Sequence, residues 1–561
     1  MFVRPGPSFR RTTLMLVLGA GAFLPPRAAE AQRILGGGSD AVTLPRGAFR
    51  VGIGGESTVQ RDRWRDGTLE GLGGSITTDA FGPLQFSLLA PIEQLVRDLG
   101  VAGFGASLGS TRLDARQRAF VTPLAIEYGV ADWLTLSARA TLVRTKAESQ
   151  FRIRTDSGRA TLGLNPIFDG SGVAAQNAAT IGTYGTAAQA LAARLAACQG
   201  DAGAFPECPT LLAEAGAVTA LSTTTSTFSV RLAQLYGTGV LRGARYIPFA
   251  GSPAEAALQA RADSIRTALE RYGVTSVTST TGLPLGAQVP LAAADLDRLV
   301  RDSTDGFGAR ALNDASLTQI GDVHLGALIR VHDTFLARGA SRFAPGVRGW
   351  RQAIAVEARI GTSYRERPES FLDQGTGSGT SAVSVRSITD LVPHDRLWAT
   401  VAVGYTKAFA KDLRMRVPSS TDNEWLEWQR EMVVPVTPGG QLDVELSPRW
   451  QLNDYIALGG QWRWRHKAAD RHDVRVPTIA IFGTDVLADG AALDARSEAE
   501  EQRVGLSATY STLAARARGI AGMHFEITYL HQQSVASGAG VVPKLWEDRL
   551  MIRYYTRFRA R

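Results

Sequence analysis

The chain has 561 residues, of which 44% are hydrophobic and 20% are charged, and its formal net charge is +8. No apolar run of about 18 residues occurs beyond the first 31 residues, which excludes a protein that crosses a membrane with helices. Acidic residues are interleaved with the arginines, so no basic block indicates nucleic-acid binding.

The N-terminus has the pattern of a secretory signal peptide. Its start is basic, residues 14–24 form an apolar core, and Ala29-Glu30-Ala31 supply a small-residue cleavage site. We therefore expect residues 1–31 to be removed on export from a bacterium.

After the signal peptide, residues 32–154 read as a Gly-rich leader over 32–45, a plug or a disordered segment, followed by strands and one long loop. The first strand is predicted to begin near Arg46, and the next two meet at a tight turn at Val130-Ala131-Asp132. Pro123 lies in the middle of the second strand, where it cannot donate to a ladder and marks a bulge or a local opening.

Residues 155–315 interrupt the alternation. Helical periods occur at 174–197, 252–272 and 291–302, which predicts an inserted helical region, either extracellular or plugging a lumen. This region holds Cys198 and Cys208, and their close spacing in an exported chain favours a disulfide. A metal site would need further ligands, and no His lies between residues 150 and 320.

The alternation resumes over residues 316–561 and is clearest in the closing hairpin of the chain. Its apolar series are Met523, Phe525, Ile527 and Tyr529, then Leu550, Ile552, Tyr554 and Phe558. Each run lasts about a dozen residues, and a tilted strand needs about 9–11 residues to cross a bilayer. We predict an all-β fold, an antiparallel transmembrane β-barrel of about 12 strands (12–14) with an inserted helical region.

A secreted β-sandwich also alternates, so the spacing of connections has to decide between the two folds. Connections near Ala131, Pro393, Asn453 and Ala515 read as tight turns, whereas those at 61–111, 155–315, 365–380, 411–438, 469–498 and 534–544 are long. Alternating short turns and long loops are typical of outer-membrane barrels. We therefore expect a bacterial outer-membrane location.

The charged residues of the strands are predicted to face the lumen, because Arg or Lys on the lipid face costs roughly 2–4 kcal/mol at the midplane. The predicted lumen-lining residues are Arg139, Glu357, Arg359, Glu445, Arg463, Arg465, Arg503, Glu526, Arg549 and Arg553. Ion-paired ladders are the expected arrangement, with anion selectivity as the alternative. The predicted aromatic girdles contain Tyr128, Tyr405, Trp462, Trp464, Tyr510, Tyr529 and Phe558.

Two stretches resemble a known family. The run Leu372-Asp373-Gln374-Gly375-Thr376-Gly377-Ser378-Gly379 and the strand-turn-strand segment at 127–136 are similar to those of outer-membrane channels related to the long-chain fatty-acid and aromatic-hydrocarbon transporters. The resemblance implies passive uptake of small apolar molecules through a plugged barrel, with exit through a gap in the wall. Pro123 is the residue that fits such a gap.

Two other functions remain open at this point. One is a structural or adhesive barrel whose insertion binds a partner at the cell surface. The other is an outer-membrane hydrolase, for which His531 with Ser534 is the only tempting pair. The expected surroundings are outer-membrane lipid, the barrel-assembly machinery and an unidentified small substrate; no enzyme activity, cofactor or metal is expected.

Overall fold

The structure is a computed structural model that describes residues 38–154, 159–169, 172–312, 314–337, 348–371, 375–394, 396–481, 484–517 and 523–557. The predicted signal peptide and Phe558 lie outside these residues. So do Leu372, Asp373 and Gln374 of the run that carries the family resemblance.

The chain forms long strands, shorter strands and helices. In chain order the strands are β1 (Ala48–Arg65), β2 (Thr68–Gly71), β3 (Ser110–Ala131), β4 (Leu134–Arg154), β5 (Leu162–Leu164), β6 (Tyr246–Pro248), β7 (Ala315–Ile320), β8 (Val323–Asp333), β9 (Gly349–Ile360), β10 (Ala382–His394), β11 (Leu397–Ala408), β12 (Lys411–Arg416), β13 (Glu431–Thr437), β14 (Gly440–Gln451), β15 (Ile456–Lys467), β16 (Arg471–His472), β17 (Thr478–Ile481), β18 (Thr484–Leu487), β19 (Ala499–Ser511) and β20 (Phe525–Arg557). The helices are α1 (Leu89–Asp98), α2 (Val173–Gly200), α3 (Cys208–Ala213), α4 (Ala215–Tyr236), α5 (Pro253–Arg271), α6 (Ala293–Arg301), α7 (Thr334–Ala337), α8 (Gly490–Ser497) and α9 (Leu513–Ala517).

Eleven strand elements close into an antiparallel barrel. Its order is β1-β20-β19-β15-β14-β11-β10-β9-β8-β4-β3, and β3 pairs back to β1. Short β2 and β7 pair at the margin, with β1 and β4. The predicted all-β antiparallel barrel is confirmed, while the count differs from about twelve because the closing hairpin forms one continuous element.

That element, β20, corrects the loop predicted at 534–544. Its first part pairs with β19 as far as Gly540, and its second part pairs with β1 from Val541 onward. The backbone N–H of Tyr555 also donates to the carbonyl of His524 at 3.0 Å, so β20 folds back on itself. Gly540 lies at the reversal with φ +69°, a left-handed conformation that glycine adopts without strain.

The connections segregate by length onto the two ends of the barrel. One end, the short-turn end, has links at 132–133, 395–396 and 452–455, with longer ones at 334–348 and 512–524. The link at 512–524 contains α9, so the tight turn predicted near Ala515 was wrong. The other end, the long-loop end, has links at 66–109, 155–314, 361–381, 409–439 and 468–498.

Apolar side chains cover the outside of the barrel. Residues exposed by 36–73% on successive strands include Ile53, Leu124, Leu325, Val356, Val403, Leu446, Trp462, Leu506 and Ile552. The alternate positions hold buried polar residues such as Arg351, Asp390, Thr400, Glu501 and Thr528. An apolar exterior around a polar interior is the arrangement that lipid requires of a spanning sheet.

The helical region lies at the long-loop end. α2 packs along α4, and their buried residues join those of α1, α5 and α6 in one core with Phe81 and Phe86 of the 66–109 loop. Helical periods predicted α2, α5 and α6, but α3 and α4 were missed because Thr and Ser interrupt the apolar pattern. Cys198 and Cys208 form a disulfide that links α2 to α3, with a Cα–Cα distance of 5.3 Å.

The remaining loops carry small sheets of their own. β12, β13 and β16 form a three-stranded sheet, and β17 pairs with β18. Among the described residues, no helix combines the length and apolar character needed to cross a membrane.

Candidate functional site: the barrel lumen

Residues 38–47 overlap the Gly-rich segment predicted at 32–45, and from here on the name leader refers to residues 38–47 alone. They enter the barrel from the short-turn end. The N–H of Leu44 donates to Thr135 Oγ1 at 2.7 Å, close to the β3–β4 turn. Val42 and Leu44 pack against Leu513 and Tyr555, and all four residues are buried. Residues 38–47 therefore contact the inner face of the wall, and the plug that the sequence predicts for this segment stays a prediction.

Ser39 is held deeper in the lumen by four polar contacts. Its N–H and Oγ donate to the carboxylate of Glu445 at 2.7 and 2.9 Å. Arg386 donates to its Oγ at 2.9 Å, and Arg449 donates to its carbonyl at 2.8 Å. The neighbouring Gly38 has no room for a side chain, because an added Cβ would lie 2.4 Å from Glu445 Oε1.

Asp390 forms a second anchor. The guanidinium of Arg351 donates to its Oδ2 at 2.6 and 3.1 Å, Thr400 Oγ1 donates at 2.7 Å, and the N–H of Ala41 donates at 3.3 Å. Asp390 is 2% exposed and Arg351 is 4% exposed. A buried pair of this kind needs hydrogen bonds on both partners, and the leader supplies one of them.

The opposite wall of the lumen carries a ladder of alternating charge. Arg503 donates to Glu501 at 2.6 Å and to Glu547 at 3.4 Å, while Arg549 donates to Glu547 at 2.7 Å and to Glu56 at 2.9 Å. Glu547 and Glu56 therefore each receive a guanidinium from another strand element, while Glu501 is bonded within its own strand. Such a ladder ties the strands of the wall together from inside.

The predicted lumen residues all lie on the inward-facing series of their strands. Arg463 and Arg465 converge on Asp443 at 2.8 and 3.2 Å. Glu357 accepts from His324 at 2.7 Å and from Arg139 at 3.4 Å. The remaining ones are Arg359, which donates to the Thr380 carbonyl at 3.1 Å, Glu526, which accepts from Tyr555 Oη, and Arg553 on the same face of β20.

Several central residues were missed from the sequence. Asp390 and Arg449 lie in strands whose alternation is weak or interrupted by proline. Arg351 lies near the start of β9, ahead of the apolar series that begins at Ile354, and the buried Arg50 lies three residues after the leader. Their charge could have identified them as lumen residues, because each occupies the strand face opposite to an apolar series.

A cavity of about 1060 Å³ occupies the lumen at the long-loop end. Strand residues that line it include Glu357, Arg359, Thr406, Gln441 and Lys467, and loop residues include Phe371, Leu413, Met415, Leu426 and Val436. No described residue between 159 and 312 lines this cavity. The choice between an extracellular and a lumen-plugging helical region stays a prediction.

The helical region reaches these loops through an aromatic cluster. The ring of Phe371 lies 4.4 Å from that of Trp425 and 5.8 Å from that of Phe307, measured between centroids. Beside it, Glu424 accepts from Arg63 at 2.7 Å and also from Arg65. Burial would raise the pKa of Glu424, but Arg63, Ser75 and Arg65 together lower it below its usual range.

The β1–β3 ladder is interrupted beside Pro123. Ile53 pairs with Leu124 and Glu56 pairs with Val121, but Gly54 and Gly55 have no partners on β3. An added Cβ on Gly54 would lie 3.3 Å from Pro123 Cγ, so the proline ring covers the interruption from inside. The β3–β4 register runs through Pro123 without a shift, so no bulge is present there.

A second interruption was not predicted. The β14–β15 ladder skips Ser447 and Pro448, and Pro448 Cγ would lie 3.5 Å from an added Cβ on Gly460. Both interruptions combine a proline on one strand with a glycine on its neighbour.

The residues considered for hydrolysis do not form a pair. His531 faces outward, where it contacts Asp548 at 2.9 Å, whereas Ser534 faces the lumen and donates to Glu501 at 2.6 Å. In the described part of the chain, no group of three or more His, Cys, Asp or Glu residues could hold a metal ion.

Searches for a matching family model and for matching curated proteins found none. Among solved structures, an outer membrane channel from Pseudomonas putida F1 is similar over 93% of this chain and 99% of that chain, at 9% identity and a TM-score of 0.39. A FadL homologue from Pseudomonas aeruginosa covers 91% and 90% at 9% identity and a TM-score of 0.27. The toluene transporter TodX of Pseudomonas putida covers 91% and 89% at 8% identity and a TM-score of 0.27.

These TM-scores are too low to assign the fold. The fold is assigned from this chain's own strand pairing, its apolar exterior and its charged interior. A closed barrel of this construction is suited to a bacterial outer membrane. The protein is located there.

Proposed function

We propose that this protein is an outer-membrane channel for the passive uptake of small, hydrophobic molecules. In this proposal the two halves of β20 cross the membrane separately, which gives twelve crossings, and the long-loop end faces the outside of the cell. The observation that carries the proposal is a cavity at one end of a lumen whose other end is filled by the leader, a segment that belongs to no strand of the barrel.

The leader contacts the inner face of the barrel wall but is not one of its strands. Its contacts with the barrel are hydrogen bonds between separate points of the leader and individual wall residues, together with two small apolar clusters around Ala41 and around Val42 and Leu44. The bonded wall residues are Asp132, Thr135, Arg386, Asp390, Glu445 and Arg449. A ladder strand would be bonded along its whole length. Movement of the leader therefore leaves every strand pair intact, which is what a gate inside a barrel requires.

The experiment is deletion of residues 38–44 followed by conductance measurements in planar bilayers. We expect the deletion to raise single-channel conductance because it empties the short-turn half of the lumen. A matched control deletes 239–241 of the helical region, where Val240 is 95% exposed, and should leave conductance unchanged. A barrel that stays sealed with and without the leader would contradict the channel proposal.

A second candidate is a surface-binding barrel whose helical region recognises a partner. One observation favours it: the helical region, which shares a hydrophobic core with the 66–109 loop, exposes Val230, Val240 and Val289 by 53–95%. Under this alternative the leader would be a permanent stopper, and the deletion variant would conduct while the wild type never does.

A further inference from the structure

Five cationic side chains form a patch on the outer surface of the barrel at the long-loop end. These residues, the basic patch, are Arg61 of β1, Arg116 and Arg118 of β3, and Arg144 and Lys146 of β4. Register brings them together, because Arg118 is the direct partner of Lys146 on one side and of Val59 on the other, while Arg144 is the partner of Phe120.

The patch begins where the apolar exterior ends. Along β3 the outward series runs Tyr128, Ile126, Leu124 and Phe120, each exposed by 38–50%, and continues with Arg118 and Arg116. From Tyr128 to Phe120 the tilted strand rises roughly 20 Å, close to the height of about 25 Å of the apolar band in such barrels. Arg118 and Arg144 therefore lie at the level of lipid headgroups.

The patch has a large excess of positive charge. Glu148 accepts from Lys146 at 2.6 Å and lies 3.7 Å from Arg118, and Asp314 lies 4.0 Å from Lys146. No described carboxylate lies within 4.0 Å of the side-chain nitrogens of Arg61 or Arg144. Arg116 has a buried Nε without a hydrogen-bond partner and is repelled by Arg118 and Arg61.

The wall formed by β15 and β19 differs at the corresponding level. There the outward pair is His466 opposite Glu500, and Glu500 also accepts from Trp464 Nε1 at 2.9 Å. The excess of cations is thus a property of β1, β3 and β4 rather than of the whole rim.

We propose that the basic patch binds the phosphorylated headgroup of an anionic lipid in the outer leaflet. Guanidinium groups bind phosphate with two parallel hydrogen bonds, and each Lys or Arg near an anionic membrane surface contributes about 1 kcal/mol of attraction. The apolar surface of Phe120, Leu124 and Leu142 directly below accepts the acyl chains. A patch with both features fits an amphiphile better than free phosphate.

The test is retention of a defined lipid by the purified, folded barrel. Detergent-solubilised protein is mixed with diphosphoryl lipid A, with dephosphorylated lipid A or with inorganic phosphate, and bound lipid is counted by native mass spectrometry. The test variant combines Arg61→Gln, Arg116→Gln, Arg118→Gln, Arg144→Gln and Lys146→Gln. The control makes the same change in net charge at exposed arginines elsewhere: Arg271→Gln, Arg298→Gln, Arg301→Gln, Arg310→Gln and Arg414→Gln.

We expect wild type and control to retain diphosphoryl lipid A, and the test variant to bind it at least about tenfold more weakly. Equal loss in the control, equal retention of dephosphorylated lipid A, or displacement by millimolar inorganic phosphate would overturn the proposal.

If the test variant does not fold, Arg→Lys exchanges at the four arginines preserve the charge and should preserve retention. Because lipid retention does not depend on conductance, failure here leaves the channel proposal standing, and the reverse also holds.

Discussion

At the scale of single residues, Asp390 joins Ala41 of the leader to the buried guanidinium of Arg351. Replacing Asp390 by alanine leaves the buried guanidinium of Arg351 without a counter-ion, because no other described carboxylate lies within 4.0 Å of it. Removal of one partner from a buried pair costs about 3–5 kcal/mol. We expect Asp390→Ala to lower the free energy of unfolding in detergent by an amount in this range.

The matched control for this change is Glu357→Ala, whose carboxylate is 35% exposed and faces the open cavity. Its loss should cost less than about 1 kcal/mol because solvent screens its partners. Equal destabilisation by the two variants would show that Asp390 is not an anchor.

Glu424 gives the loops a dependence on pH. Its folded pKa is lowered, so the stability that it contributes is present above the unfolded carboxyl pKa of about 4.3 and is lost as the pH falls through the folded value. We expect the loop next to Trp425 to loosen on acidification below about pH 4.3, seen as a change in tryptophan fluorescence. Glu424→Gln should abolish this change, and an unaltered acid transition in that variant would exclude Glu424 as its origin.

At the scale of elements, the interrupted ladder between β1 and β3 allows two interpretations of Pro123. It marks either an exit for solutes or only a local feature of the strand pairing. If the interruption at Gly54, Gly55 and Pro123 is an exit for apolar solutes, Pro123→Ala should slow uptake of an apolar substrate by proteoliposomes while the barrel stays folded. Pro448→Ala alters the equivalent interruption between β14 and β15 and serves as the matched control. Equal rates for wild type and both variants would assign the prolines to ladder geometry alone.

Elements with a strict period of two were predictable from sequence, and the others were not. β3, β4, β9, β11 and β15 were located because one face is apolar and the other polar over a continuous run of residues in each strand. The continuation of β20 through 534–544 was hidden by Gly538 and Gly540, and the interruption at Pro448 by polar neighbours. The position of the leader depends on contacts with Glu445 and Asp390, about 350 to 400 residues away in sequence, which no local pattern can reveal.

At the scale of the whole molecule, connection lengths predict orientation. With the long-loop end outside, Val240→Cys should react with a membrane-impermeant maleimide on intact cells, whereas Asn453→Cys at a short turn should react only after lysis. The native Cys198 and Cys208 do not interfere because they are bonded to each other. The opposite labelling pattern would invert the assignment of the two ends and move the basic patch to the inner leaflet.

The path of the leader also determines where this protein tolerates foreign sequence. Since the chain rises from Gly47 toward Gly38 inside the barrel, a folded tag inserted directly at Gly38 would have to fit within a space already occupied by Arg386, Glu445 and Arg449. Such an insertion would have to expel the leader in order to close the ring. Affinity handles and fluorescent reporters therefore belong in the exposed loop around Val240, and an insertion at Gly38 becomes a means of holding the barrel unplugged.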